Sequence, residues 1–246
     1  MNRLVYVLIP VVLVALAAAG YVYLKGAEAP TAETTVASTT PQTMTGQSIP
    51  GGHGPGAGGA SVSTMVQQLP AEPLSEDEKE SLLFMVEEEK LARDVYNRLA
   101  EMYPEVQVFA NIARSEQQHV DSVMQLIEKY GLEIDLGQPG EFHNQELQQL
   151  YNELVDRGSK SLEEALKVGA LIEEKDIVDL KDWLAKVDNE DIKLVYENLM
   201  HGSFNHLCAF TRTLKNMLGI DYKPVLLDEE TYNSIISSCS MGGPKQ

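Results

Sequence analysis

The chain has 246 residues, 43% of them hydrophobic and 23% charged, with a formal net charge of −18. That length allows one sizeable core plus appendages, and the acidic balance argues against nucleic acid or an anionic membrane surface as a partner, because both repel it. With only two cysteines, Cys208 and Cys239, the sequence contains no four-cysteine rubredoxin-type or zinc-ribbon module.

From Leu4 to Leu24 the sequence is almost wholly apolar, between Arg3 and Lys25. The run is long enough to cross a bilayer as a helix, and Pro10 is tolerated inside such a helix. The small residues from Ala15 to Gly20 offer a second reading as a cleavage site. Residues 1–25 are therefore expected to be a transmembrane anchor or a signal segment. The rest of the chain is then held outside the cytoplasm by a single-pass anchor at the cell membrane, or is secreted after cleavage. Residues 26–73 are rich in Ala, Thr, Ser, Gly and Pro, too poor in apolar surface to offset their ordering entropy, and read as a flexible linker. Its lone His53 lacks the neighbouring histidines of a metal-binding tract.

A folded region is expected over 74–220. Ser75 and Glu78 form a capping box, and Leu82, Met85, Val86, Ala92, Tyr96 and Leu99 then recur at a helical period until Pro104. Glu89 lies inside that stripe, whereas Glu87, Glu88 and Lys90 lie outside it. A second helix is predicted from about Val108 to Tyr130, with Phe109, Ile112, Val120, Val123, Leu126 and Ile127 inward and Glu116 and His119 on the same face. A short helix over Gln145–Asp156 in the following connection offers no inward ligand. Ser161 and Glu164 make a second capping box, opening a helix to about Val187 whose apolar stripe is interrupted by Glu173 and Asp176. The last long helix runs from about Asp191 to Leu218, with Ile192, Val195, Tyr196, Leu199, Phe210, Leu214 and Met217 inward, Ser203 and His206 on that face, and Gly219 as its cap. Residues 221–246 form a C-terminal tail, which a Cys208–Cys239 disulfide would tie down in an oxidising compartment.

Six polar side chains thus fall on the inward stripes of four helices: Glu89, Glu116, His119, Glu173, Asp176 and His206. Four carboxylates and two imidazoles are what a pair of iron or manganese ions in a helix bundle requires. Burying four carboxylates without cations would cost many kcal/mol or force their pKa values far upward. For any one of these residues the bland alternative is a partner in the core, and Arg93, one turn after Glu89, is such a partner.

The segments EEEKLARDVY, FANIARSEQQHV, VGALIEEKDIVDL and GSFNHLCAF resemble the domain-of-unknown-function family numbered 2202. More broadly, Glu89 with Ala92, Arg93 and Tyr96, and the Glu-x-x-His of Glu116 and His119, resemble the first and second helices of rubrerythrins in the ferritin-like superfamily. That resemblance implies an all-α, ferritin-like four-helix bundle with a short extra helix in its long connection. It also implies a second Glu-x-x-His in the fourth helix. Here Ser203 and His206 occupy those positions, so a carboxylate is missing, and Asp176 is inferred to replace it.

The ligand set points to a dinuclear iron (or manganese) protein that reduces peroxide or oxygen or oxidises Fe(II), with an unidentified electron donor. Two other readings stay open: a metal-binding or storage module without turnover, and a metal-free helical interaction domain. Homo-oligomerisation is left open by the sequence.

Overall fold

The computed structural model describes residues 61–240, so the apolar run 4–24, most of the linker and His53 lie outside the described residues. Among the described residues every regular element is a helix: α1 (Val62–Gln68), α2 (Glu76–Met102), α3 (Gln107–Lys129), α4 (Gln145–Gly158), α5 (Leu162–Leu184), α6 (Glu190–Leu218) and α7 (Glu229–Ser240). None of these is long and apolar enough to cross a membrane.

Helices α2 and α5 start where a serine side chain satisfies a free backbone amide. Ser75 Oγ accepts from the Glu78 amide while Glu78 reaches back to the Ser75 amide, a complete capping box. At α5 only half of the expected box forms. Ser161 Oγ accepts from the Glu164 amide, but the Glu164 carboxylate pairs with Arg157 at 2.7 Å instead. Gly219 ends α6 at φ 72°, a left-handed conformation that glycine adopts without a Cβ penalty.

The helices α2 and α3 pack as one hairpin and α5 and α6 as another, and α3 also packs on α6 and α2 on α5. Contacts at one end fix the directions. Glu78, at the start of α2, accepts from the Asp188 and Asn189 amides just before α6. Lys129, at the end of α3, donates to Asp191 at the start of α6. Helices α2 and α6 therefore start at the end where α3 and α5 finish. Because α3 and α5 run the same way, residues 130–161 must cross the length of the bundle, and α4 packs on α2 and α5 along that crossing.

Two apolar clusters fill the interior. One surrounds Tyr96, Phe109, Leu166 and Phe210, and the other Leu82, Met85, Leu126, Trp183, Ile192 and Tyr196. The anticipated inward residues are buried with one clear exception: Met217, at the end of α6, is 49% exposed.

Two segments carry more structure than their composition suggests. Residues 62–68, placed in the linker, form α1, which buries Val66 and packs on α3 and α6. Its terminal carbonyls, Val66 O and Leu69 O, accept from Lys129 Nζ at 2.8 and 2.9 Å. In the tail, α7 packs on α6, and Cys208 and Cys239 are joined by a disulfide.

Candidate metal centre

Glu89 on α2, Glu116 and His119 on α3, Glu173 on α5 and His206 on α6 are all buried. Each lies mid-helix, roughly 15–25 Å from the common end at 1.5 Å per residue, so four separate helices deliver their polar groups to one level. Two overlapping sets result, each with ligand atoms within 4.8 Å of one another: Glu89, Glu116 and His119; and Glu116, Glu173 and His206.

Glu116 belongs to both. Its Oε2 lies 2.8 Å from His119 Nδ1 and its Oε1 lies 2.7 Å from His206 Nδ1. His119 Nδ1 is also 3.1 Å from Glu89 Oε2, and His206 Nδ1 is 3.4 Å from Glu173 Oε2. The imidazoles stack with centroids 5.4 Å apart. Both rings present Nδ1 to the carboxylates. The other nitrogen of His206 meets Ser115 Oγ at 2.9 Å, and that of His119 faces the α6 backbone at Gly202.

The contact between His206 Nδ1 and Glu116 Oε1 is short but not aligned as a hydrogen bond, so both atoms remain buried without a bonded partner. Glu89 Oε1 is likewise without one. Buried polar atoms of this kind are uncommon and costly. Atoms bound to one cation at about 2.1 Å sit roughly 3 Å apart and point at the ion rather than at each other. The donor set, its spacing and its unpaired atoms therefore fit metal.

The electrostatics of the cluster follow from its burial. Burial pushes Glu89 up to about 7 against the opposing pull of His119, and raises Glu173, with the Glu116 charge adding to the effect. Burial opposes ionisation of Glu116 too, but His119 and His206 together overcome it and hold this carboxyl far below its usual range. Conversely, burial disfavours charged imidazoles, yet Glu116 and Glu89 hold His119 well above its ordinary value, and Glu116 and Glu173 hold His206 at about 10. Without a cation, two imidazoliums clasp one carboxylate.

Asp176 stands outside both sets. It is buried and bonded to Ser203 Oγ, with Oδ1 unpaired, and its pKa is pushed well up by burial and then by the nearby Glu89 and Glu88. Arg93 is not the partner of Glu89: it binds Asp94 and Gln117. Glu197 and His201 are exposed on the far side of α6.

Tyr96 is more than packing. Its ring lies 5.0 Å from Phe210, while its hydroxyl donates to Glu173 Oε1 at 2.5 Å and approaches Gly169 O at 3.2 Å. The flanking glutamates of α2 are buried as well, with other partners. Glu87 accepts from the His143 and Asn144 amides, and Glu88 pairs with Lys175 at 2.6 Å. Sequence reasoning passed over Ser115 and Gly202. A glycine inside a long helix, where it weakens the helix, was the signal available for the second.

A family described as "Uncharacterized protein domain (DUF2202)" matches residues 78–239. The uncharacterized protein MJ0754 of Methanocaldococcus jannaschii is 51% identical over 180 residues, 72% of this chain and 96% of that protein. A crystal structure of the hypothetical protein MJ0754 aligns with a TM-score of 0.66 at 52% identity, covering 69% of this chain and 97% of the solved one. The buried Glu and His groups just described fall within the matched span, and the chain belongs to the DUF2202 family.

Proposed function

We propose that this chain is a ferritin-like dinuclear metal protein, carrying iron or in its place manganese, that reduces peroxide or oxygen or oxidises Fe(II). The observation that carries the reading is the Glu116 carboxylate, whose two oxygens face two separate histidine–carboxylate sets. Glu89, His119 and Glu116 would hold one ion, and Glu173, His206 and Glu116 the other. Asp176, one turn from Glu173, is the proposed fourth carboxylate, which makes the ligand charge equal to that of two divalent ions. The single long crossover between α3 and α5 is also the connectivity of ferritin-like bundles. When bound, such an ion pair supplies two-electron chemistry toward O₂ or peroxide.

The chain's own groups divide the remaining work. Glu116 and the two imidazoles define the ligand positions; Glu116 is already ionised, and each imidazolium must shed its Nδ1 proton to bind. Glu89 near 7 holds a proton that it releases near neutral pH. Tyr96 fixes one oxygen of Glu173, and its ring belongs to the buried apolar cluster of Phe109, Ile112, Ile172 and Phe210. The apolar run Leu4–Leu24 is read as the anchor that holds the bundle outside the cytoplasm, at the membrane surface.

The test is iron per full-length chain after anaerobic loading with Fe(II), beside a Glu116→Ala, His119→Ala double variant. About two irons in the parent and few in the variant, followed by oxidation of the loaded iron by peroxide or O₂, support the reading. Retention of iron without oxidation favours a storage module, for which the place of Asp176 outside both sets, bonded to Ser203, is the structural argument. No iron in the parent sinks both.

A further inference from the structure

Gly202 is the only glycine in the 29 residues of α6, at a place where any other residue but proline would serve the helix better. A Cβ built there would lie 2.5 Å from His119 Nε2 and 2.6 Å from His119 Cε1. The ring has no room to retreat. Its Nδ1 edge is already 2.8 Å from Glu116 Oε2 and 3.1 Å from Glu89 Oε2, and its face stacks on His206. Restoring ordinary van der Waals distance would need a shift of roughly 1 Å, and rotating the ring instead would swing Nδ1 away from the carboxylates. His206 is oriented differently, through the Ser115 hydroxyl on its Nε2, and among the described residues no glycine faces it.

Building on the dinuclear reading above, we infer that Gly202 is a positioning residue for His119. The missing Cβ in α6 is the seat that aims His119 Nδ1 at Glu89 and Glu116. The cation position formed by Glu89, Glu116 and His119 therefore depends on glycine at 202, whereas the position formed by Glu116, Glu173 and His206 does not. The two halves of the site are separable by one methyl group placed on the neighbouring helix.

Two measurements on the full-length chain test this. The first needs no metal. Gly202→Ala lowers the Tm of the parent, but in a His119→Ala background, with the ring gone, the same change raises the Tm by about 2–4 °C through helix propensity alone. A change of the same sign in both backgrounds overturns the inference. If Gly202→Ala alone does not fold, the double variant decides the matter, because it folds only if the His119 ring is the obstacle.

The second is Co(II) stoichiometry with the visible spectrum of the bound ion. Two Co(II) in the parent and one in Gly202→Ala are expected, the remaining band matching that of His119→Ala and not that of His206→Ala. Two Co(II) with the parental spectrum in Gly202→Ala overturns the inference while leaving the dinuclear reading intact. No Co(II) in the parent overturns that reading, and the inference with it, whatever the melting experiment returns.

Discussion

Replacing Glu116 by glutamine removes one charge from the centre of the cluster with almost no change in volume, and the effect should be read first on the histidines of the metal-free protein. His206 is held at about 10 against an ordinary value of 6.5. At 1.36 kcal/mol per unit, this corresponds to roughly 5 kcal/mol in favour of the imidazolium, gained against burial, which pulls the other way. Glu116 is the nearest carboxylate at 2.7 Å, and Glu173 at 3.4 Å is itself raised by burial and so supports a neighbouring cation poorly. In Glu116→Gln the burial penalty dominates, and His206 should titrate at or below 6.5. His119 falls too, by less, because Glu89 remains 3.1 Å away.

The folded-state value of His206 is raised, so its stabilising contribution is complete below pH 6.5 and fades as pH rises toward 10. Glu89, also raised, loses its contribution between its ordinary 4.5 and about 7. Glu116 is depressed, and its contribution is lost only in acid, below its ordinary value. The Tm of the metal-free parent is therefore expected to fall steadily from pH 5 to pH 10, and that of Glu116→Gln to fall less above pH 6.5. The assay is a ¹³C-edited NMR titration of the imidazole Cε1 protons, assigned with single histidine variants, alongside calorimetry across the same range. A parental His206 that titrates near 6.5, or one that Glu116→Gln does not move, refutes the geometry on which the centre rests.

Tyr96→Phe leaves a buried Glu173 oxygen without its donor, which should cost about 1–3 kcal/mol in urea unfolding and about 10-fold in metal affinity at the His206 position; unchanged affinity in isothermal calorimetry would show that the hydroxyl only packs. Glu174, a buried carboxylate, accepts from Tyr222 Oη and from the amides of Val225, Leu226 and Leu227. Glu174→Ala should therefore destabilise by about 2–4 kcal/mol and expose residues 222–227 to rapid amide exchange, and protected amides there would contradict it. Reducing the Cys208–Cys239 bond, which closes a separation of 31 residues, should lower stability by about 3–4 kcal/mol on a chain-entropy basis. Because neither cysteine belongs to the Glu and His sets, metal stoichiometry should not change on reduction, and its loss would tie the disulfide to the site.

The part of this architecture that periodicity exposes is the bundle's inward face. Glu89, Glu116, His119, Glu173 and His206 stood out because each interrupts an apolar stripe, and all five converge. Asp176 shares that stripe, but spacing reports a face and not which neighbour a side chain meets there, and the Ser203 hydroxyl takes it. Glu87 and Glu88 lie off the stripe, yet both are buried and pair with the 130–161 crossing and with Lys175 of α5. Helix α1 was invisible for a related reason. Seven residues with one buried apolar side chain carry no period, and the lysine that holds them is on α3, 60 residues or more away. Met217 failed in the opposite sense: it keeps the period of α6 in its last turn, yet it is exposed.

The Lys129 clamp on α1 has a mechanical consequence. Any load carried by the chain ahead of residue 61 reaches the bundle through α1, whose grip includes the ammonium bonds to Val66 O and Leu69 O, a Gln125 bond to Ser63, the buried Val66 and the partly buried Val62. These are weak in series compared with the side-by-side packing of α2 and α3. Under tension α1 peels first, paying out slack while Ser75 and its capping box still hold the first long helix. The segment therefore behaves as a fuse, which yields before force reaches the level of Glu89.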